Sequence, residues 1–127
     1  MNIPTLTIAS GNPKKVSEIS EMLDVLSLKV KKQPDSLNVE ETGSTYFDNA
    51  LLKAKAASLA TKTWTLADDS GLEVDFLDGR PGIYSARYAK TNVEKLKKLI
   101  NELSDTPYRS AKFISCCLLY TSDAADE

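Results

Sequence analysis

The feature that most narrows the possible folds is an alternation, along the chain, of short apolar runs with stretches of helical period. Residues 4–9, "PTLTIA", read as a β-branched strand, and "SGNP" breaks it. Beyond the break Val16, Ile19, Leu23 and Leu26 recur at helical spacing, with Asn12 placed as N-cap and Pro13 as the first helical residue. Residues 27–32, "SLKVKK", alternate apolar and cationic side chains as an edge strand does, and "QPDSLNVEETGS" has loop character. A second helix carries Phe47, Ala50, Leu51, Ala54, Ala57 and Ser58 on one stripe, where the alanines allow close approach to a neighbour. "TWTLA" and "LEVDFL" read as two strands on either side of "ADDSG", where Gly71 would permit a sharp reversal, and residues 78–90 as irregular chain. Thr91 and Glu94 have capping-box spacing at the head of a third helix, predicted to bury Val93, Leu96, Ile100 and Leu103. Residues 110–119 read as a last strand. This order predicts one α/β layered domain, without internal repeats, in a chain of 127 residues.

Composition removes several function classes. With 18 acidic and 16 basic residues the net charge is −2, so no global field recruits nucleic acid or an anionic membrane. The N-terminal stretch lacks the pattern of a signal peptide and no apolar run reaches bilayer length, which predicts a soluble, cytoplasmic protein. Cys116 and Cys117 are adjacent within an apolar run, where strand alternation points them to opposite faces, as packing residues rather than a disulfide. The chain has no histidine. Ser-His-Asp and Cys-His machinery is therefore excluded within it, and chemistry falls to carboxylates and lysines with a hard, oxygen-bound cation.

Four stretches carry candidate chemistry, each beside a plainer reading. "SGNPKK", Ser10–Lys15, joins a strand to a helix N-terminus, where backbone N–H groups and Lys14 or Lys15 suit phosphate, although a capped turn with solvated lysines would look the same. The loop is too short for the Walker pattern. Glu40 and Glu41 precede Gly43 and a helix bearing Asn49 and Lys53, and could be ligands or could merely complement the helix dipole. Asp68 and Asp69 in "ADDSG" are either a self-bonded turn or a carboxylate pair at the mouth of a sheet, able to hold Mg²⁺ or take a proton from water. Arg80 and Arg87 lie in a loop with Tyr84 between them and Tyr88 next after, as a structured loop or as the wall of a flat anionic site.

Taken in order, "ASGNPKK", "EETGSTYFDNALLKA", "LADDSGLEVDFLDGRPGIYSARYA" and "AKFISCCLL" resemble the non-canonical purine nucleoside triphosphate pyrophosphatases, the inosine/xanthosine triphosphatase family. The resemblance covers the chain to about Leu119 and implies a mixed sheet with flanking helices. It implies Mg²⁺-dependent hydrolysis of ITP, dITP and XTP to monophosphate and pyrophosphate, and homodimers. By the same resemblance Ser10, Gly11, Asn12, Pro13, Lys14 and Lys15 form the triphosphate loop, and Ser70 touches substrate. Glu40 and Asp69 would hold the metal, with Glu41 and Asp68 as further candidates, and Asp69 would accept the proton of the attacking water. Related pyrophosphatases acting on pyrimidine triphosphates fit "SGNPKK" and "ADDSG" less well.

The sequence departs from the family in lacking its Gly-Phe-Gly-Tyr-Asp-Pro and Ser-His-Arg segments, which belong to a second lobe. Residues 1–119 are accordingly expected to be the N-terminal part of one inosine triphosphatase-like domain with the second lobe largely missing, and 120–127 a disordered or non-native tail. Core-facing residues of the last strand and of the helix near Phe47 are then expected to lie uncovered. The alternative function is a weak or inert nucleotide- and Mg²⁺-binding fragment.

Overall fold

The computed structural model describes residues 4–121. The elements follow the order β1 (Thr5–Ile8), α1 (Pro13–Met22), β2 (Lys29–Lys32), α2 (Tyr46–Thr61), β3 (Trp64–Val74), α3 (Asn92–Leu103) and β4 (Ala111–Tyr120), with 3-10 turns at Asp75–Leu77 and Gly82–Arg87. The sheet order is β2-β1-β3-β4, and β1 runs parallel to both β2 and β3, pairing Leu6 with Val30 and with Trp64. This is the α/β layering that the alternation predicts and the mixed sheet with flanking helices that the resemblance implies. Two units divide the described residues: 4–68 together with 117–121, and Asp69–Cys116.

In the first unit each helix starts where a side chain can satisfy a free N–H. Asn12 Oδ1 accepts from Lys14 N at 3.0 Å, and Thr45 Oγ1 accepts from Asp48 N at 3.0 Å. Apolar period alone is a weaker guide, since α1 buries no residue and Leu26 lies beyond its end, exposed. The inner face of α2 is the tightest surface, with Ala50, Ala54 and Ala57 wholly buried and Ala54 and Ala57 packed on Ala9 and Ala67 under Leu37, Leu118 and Tyr120. Methyl groups are all this contact has space for, so larger side chains here should strain it.

A set of hydroxyls closes the same unit at the C-terminal end of α2. Thr7 and Thr63 hydroxyls lie 2.6 Å apart, Thr61 bonds Thr63 at 2.8 Å and donates to the Ala57 carbonyl at 2.7 Å, and Ser58 donates to the Thr63 carbonyl at 3.0 Å. Thr7 and Ser58 are buried, so these bonds remove a desolvation cost that would otherwise be left standing.

The second unit is packed with larger side chains. Val74, Leu77 and Leu103 form its core, flanked by Leu72 and Leu99. After β3 the chain turns through Asp78 (φ 55°) and Gly79 (φ 86°), the left-handed region that Gly tolerates best, and Gly79 N donates to the Val74 carbonyl at 2.9 Å. α3 is capped by Thr91 Oγ1, which accepts from Glu94 N at 3.1 Å.

Several local expectations are corrected. "TWTLA" and "LEV" are one continuous strand, β3, and "ADDSG" is its middle rather than a turn. Gly71 is buried within that strand, and the glycines with positive φ among the described residues are Gly79 and Gly82. The second strand predicted as "LEVDFL" ends at Val74, and Gly82–Arg87 has 3-10 turns where irregular chain was expected. Of the α3 stripe only Leu103 is buried; Val93, Leu96 and Ile100 are exposed. Phe47 on α2 and Phe113 and Leu119 on β4 are exposed. Tyr120 is the last residue of β4 and not part of a tail, while the rest of that expected tail, from Ser122 on, lies outside the described residues. Cys116 and Cys117 are free thiols, one half-buried and one exposed.

Candidate functional site

At the end of β1 the backbone is already committed: Ala9 N donates to the Leu66 carbonyl at 2.9 Å and Ser10 N to the Ile8 carbonyl at 2.9 Å. Ser10 Oγ then accepts from Asn12 N at 3.1 Å, curling the loop so that Asn12 caps α1. This fixes Lys15 on the first turn of α1. Its Nζ reaches both oxygens of Asp68, at 3.2 and 3.1 Å, on β3.

A second approach comes from α2. Asn49, wholly buried, accepts from Gly43 N through Oδ1 at 2.8 Å, and a Cβ on Gly43 would stand 2.6 Å from Asp48 Cβ and 2.8 Å from that Oδ1. No side chain fits there, so Gly43 is what lets the loop after Glu40 close on the helix. One helical turn after Asn49, Lys53 pairs with Glu41 at 3.3 Å.

These elements enclose a cavity of about 410 Å³, walled by Ala9–Asn12, Lys15, Gln33, the Leu37–Val39 loop, Lys53 and Asp68. Its chemistry is that of amide, hydroxyl and charged groups at the head of a helix, a setting that favours anions. Of the expected loop, Ser10, Gly11, Asn12 and Lys15 face the cavity, while Pro13 and Lys14 are exposed outside it. Glu40 is exposed, and Glu41 is engaged with Lys53.

The two adjacent aspartates part company because successive strand residues point to opposite faces. Asp68 is the one in the cavity. Asp69 is 6% exposed and continues the buried run Thr65 and Ala67, whereas Ser70 is exposed. Among the described residues no three Asp, Glu or Cys converge as a ready-made metal cluster. Lys53, Gln33 and Asn38 are cavity residues that sequence reasoning missed; for Lys53 the spacing of four from Asn49, after a Glu-Glu-Thr-Gly loop, is the signal that could have found it.

In the second unit the Arg80–Arg87 stretch follows its plainer reading. Arg87 lies over the Tyr84 ring at 5.5 Å and Lys98 over the Tyr88 ring at 4.3 Å. Arg80 Nη2 pairs with Glu102 at 2.9 Å, and the Tyr88 hydroxyl donates to the other Glu102 oxygen. The Tyr88 hydroxyl and then Arg80 hold the Glu102 carboxyl below its ordinary range. Burial first, and then the bond to Glu102, push the Tyr88 phenol up to about 12. An apolar hollow of about 300 Å³ lies beside this network, lined by Leu72, Pro81, Tyr88, Leu96 and Leu99 among others.

Fold and site define the class first: a mixed α/β protein whose strand-to-helix loop opens on a cavity lined by two lysines and a carboxylate. The model of the Ham1 family matches residues 6–127, and the chain belongs to that family. It is 51% identical over 120 residues to a dITP/XTP pyrophosphatase of Synechococcus sp. (strain CC9311), covering 94% of this chain and 58% of that protein. Against the dITP/XTP pyrophosphatase of Synechocystis sp. the identity is 44%, covering 97% of this chain and 63% of the relative. The chain thus spans about three-fifths of the length of these relatives. Among solved structures, a Ham1 protein from Coxiella burnetii superposes with a TM-score of 0.85 at 36% identity, covering 94% of this chain and 65% of the other. The Staphylococcus aureus Ham1 protein gives 0.81 at 39%, covering 94% and 64%.

Proposed function

We propose that the protein hydrolyses ITP, dITP and XTP to the monophosphate and pyrophosphate, with Mg²⁺, and so clears deaminated purines from the nucleotide pool. The observation that carries this reading is the cavity, where the Ser10–Lys15 loop and α2 bring Lys15 and Lys53 to one anion-sized space beside Asp68. The names of the relatives supply the substrate class. In the proposed reaction a water oxygen bonds to the α-phosphorus, the bond from that phosphorus to the bridging oxygen breaks, and pyrophosphate leaves with the electron pair. Asp69 takes the proton of the water, a role open to a carboxylate in a chain without histidine. Asn12 and Lys15 orient the phosphates and Ser70 contacts the substrate.

Carboxylate oxygens suit Mg²⁺, which uses one or two of them and fills its shell with water and phosphate oxygens, so no cluster of three acids is needed. Glu40 and Asp69 are the proposed holders, and the ion would supply charge neutralisation at the phosphates. Homodimerisation and a cytoplasmic location belong to the same proposal; among the described residues no helix is long and apolar enough to cross a membrane.

A second reading is nucleotide and Mg²⁺ binding without turnover. Pyrophosphate release from ITP, XTP, dITP, GTP and ATP with Mg²⁺ separates the two. Fast release from ITP and XTP over ATP, abolished by Asp69→Asn, supports hydrolysis; binding of ITP without release selects the second reading, and no binding sinks both.

A further inference from the structure

The turn that follows the cavity wall is fixed to α2 through one side chain. Val39 lines the cavity, and the residues after it close a tight turn in which Thr42 N donates to the Glu40 carbonyl at 3.1 Å. Gly43 N then donates to Asn49 Oδ1 at 2.8 Å, and Glu41 meets Lys53 at 3.3 Å. Asn49 and Lys53 are four apart on α2, so the clamp and the ion pair share one side of the helix. Asn49 is wholly buried, and among the described residues its Nδ2 finds no hydrogen-bond partner, so only the Oδ1 half of the amide is satisfied. An apolar side chain would spare that desolvation cost but would leave Gly43 N without its acceptor. The glycine is fitted to the same contact, since a Cβ on it would stand 2.6 Å from Asp48 Cβ and 2.8 Å from Asn49 Oδ1. Two residues six apart in sequence are matched to one hydrogen bond, and the segment that bond places is the one carrying Glu40 and Glu41.

We propose that Asn49 is a positioning residue: its amide oxygen pins the Glu40–Thr42 turn to α2 and so sets where the acids of that turn stand for Mg²⁺. The inference rests on the proposed Mg²⁺ role of this turn. Asn49 meets neither the ion nor the phosphates; it acts through the backbone at Gly43. Without the clamp the turn samples other positions, and an acid that must be ordered at each binding event holds the ion less tightly. The proposed phosphate contacts of Asn12 and Lys15, at the head of α1, do not depend on it.

The test is calorimetric titration of tripolyphosphate into the full chain, with EDTA and separately with Mg²⁺, for Asn49→Ala and, from the other side of the clamp, Gly43→Ala. Ser58→Ala is the control, because Ser58 is buried on the same helix but its hydroxyl serves the Thr63 carbonyl. In both clamp variants the affinity gained from Mg²⁺ is expected to shrink about tenfold or more, the range of partners that orient a metal ligand, while metal-free affinity stays within about twofold. Ser58→Ala is expected to lower the thermal unfolding midpoint and to leave both affinities alone. A side chain that merely held the helix together would weaken metal-free and Mg²⁺-supported binding alike, or would be mimicked by Ser58→Ala, and either result overturns the proposal. An undiminished Mg²⁺ response in folded Gly43→Ala overturns it too, and that variant decides alone where Asn49→Ala does not fold. Hydrolysis of ITP is followed separately: turnover without the Mg²⁺ split overturns this inference and keeps the hydrolysis, and the split without turnover does the reverse.

Discussion

The two units are held together by different means. The first relies on methyl-to-methyl contact at Ala54, Ala57, Ala9 and Ala67 and on a chain of hydroxyl bonds through Thr7, Thr61 and Thr63. The second relies on aliphatic bulk at Val74, Leu77 and Leu103 and on an acid shared by Arg80 and Tyr88. A core of alanines is intolerant of additions and a core of leucines of removals, so the same size of change should act with opposite sense in the two places.

Substitutions can break this contrast, from the largest effect to the smallest. Asp69→Asn should lower pyrophosphate release from ITP by about 10²- to 10⁴-fold while leaving thermal unfolding near its original midpoint, as fits a proton acceptor rather than a packing group. Leu103→Ala in the second unit should cost about 2–5 kcal/mol in urea unfolding, whereas Ala57→Leu in the first should cost about 1–3 kcal/mol through overpacking. If Ala57→Leu were neutral, the close contact of α2 would be looser than its burial indicates.

The mildest effects are on pH. The Glu102 carboxyl is held low, so its contribution is fully present above the ordinary value of 4.5 and is lost as pH falls through the lower folded value. Tyr88 is raised, so its contribution is present below 10 and is lost as pH rises through about 12. Glu102→Gln should flatten the acid side of the unfolding midpoint against pH, and Tyr88→Phe the alkaline side. A profile unchanged by both would detach these groups from the stability of the second unit.

What could be read from the sequence was what depends on near neighbours. The caps Asn12 and Thr91 and the strand–helix–strand succession β1–α1–β2 follow from side chains a few residues apart. "ADDSG" misled because short polar residues favour turns locally, while pairing along β3 outweighs that preference. Period located a stripe on α3 but not what covers it, which is a question about the rest of the chain. In the candidate site the strand–break–helix setting of Ser10–Lys15 was legible, though it fits a capped turn as well as a site, whereas the place of Lys53 depends on a fold-back at Gly43 that its spacing from Asn49 signals only indirectly.

The alanine face of α2 also bears on how this sequence can drift. At Ala50, Ala54 and Ala57 every substitution is either larger, and meets wholly filled space, or is glycine, which costs about 1 kcal/mol in a helix interior. The other side of the same helix, with Leu52, Lys55 and Leu59 exposed, carries no such restriction. Over many generations one helix should therefore record two clocks, nearly stopped on its inner side and running freely on its outer one.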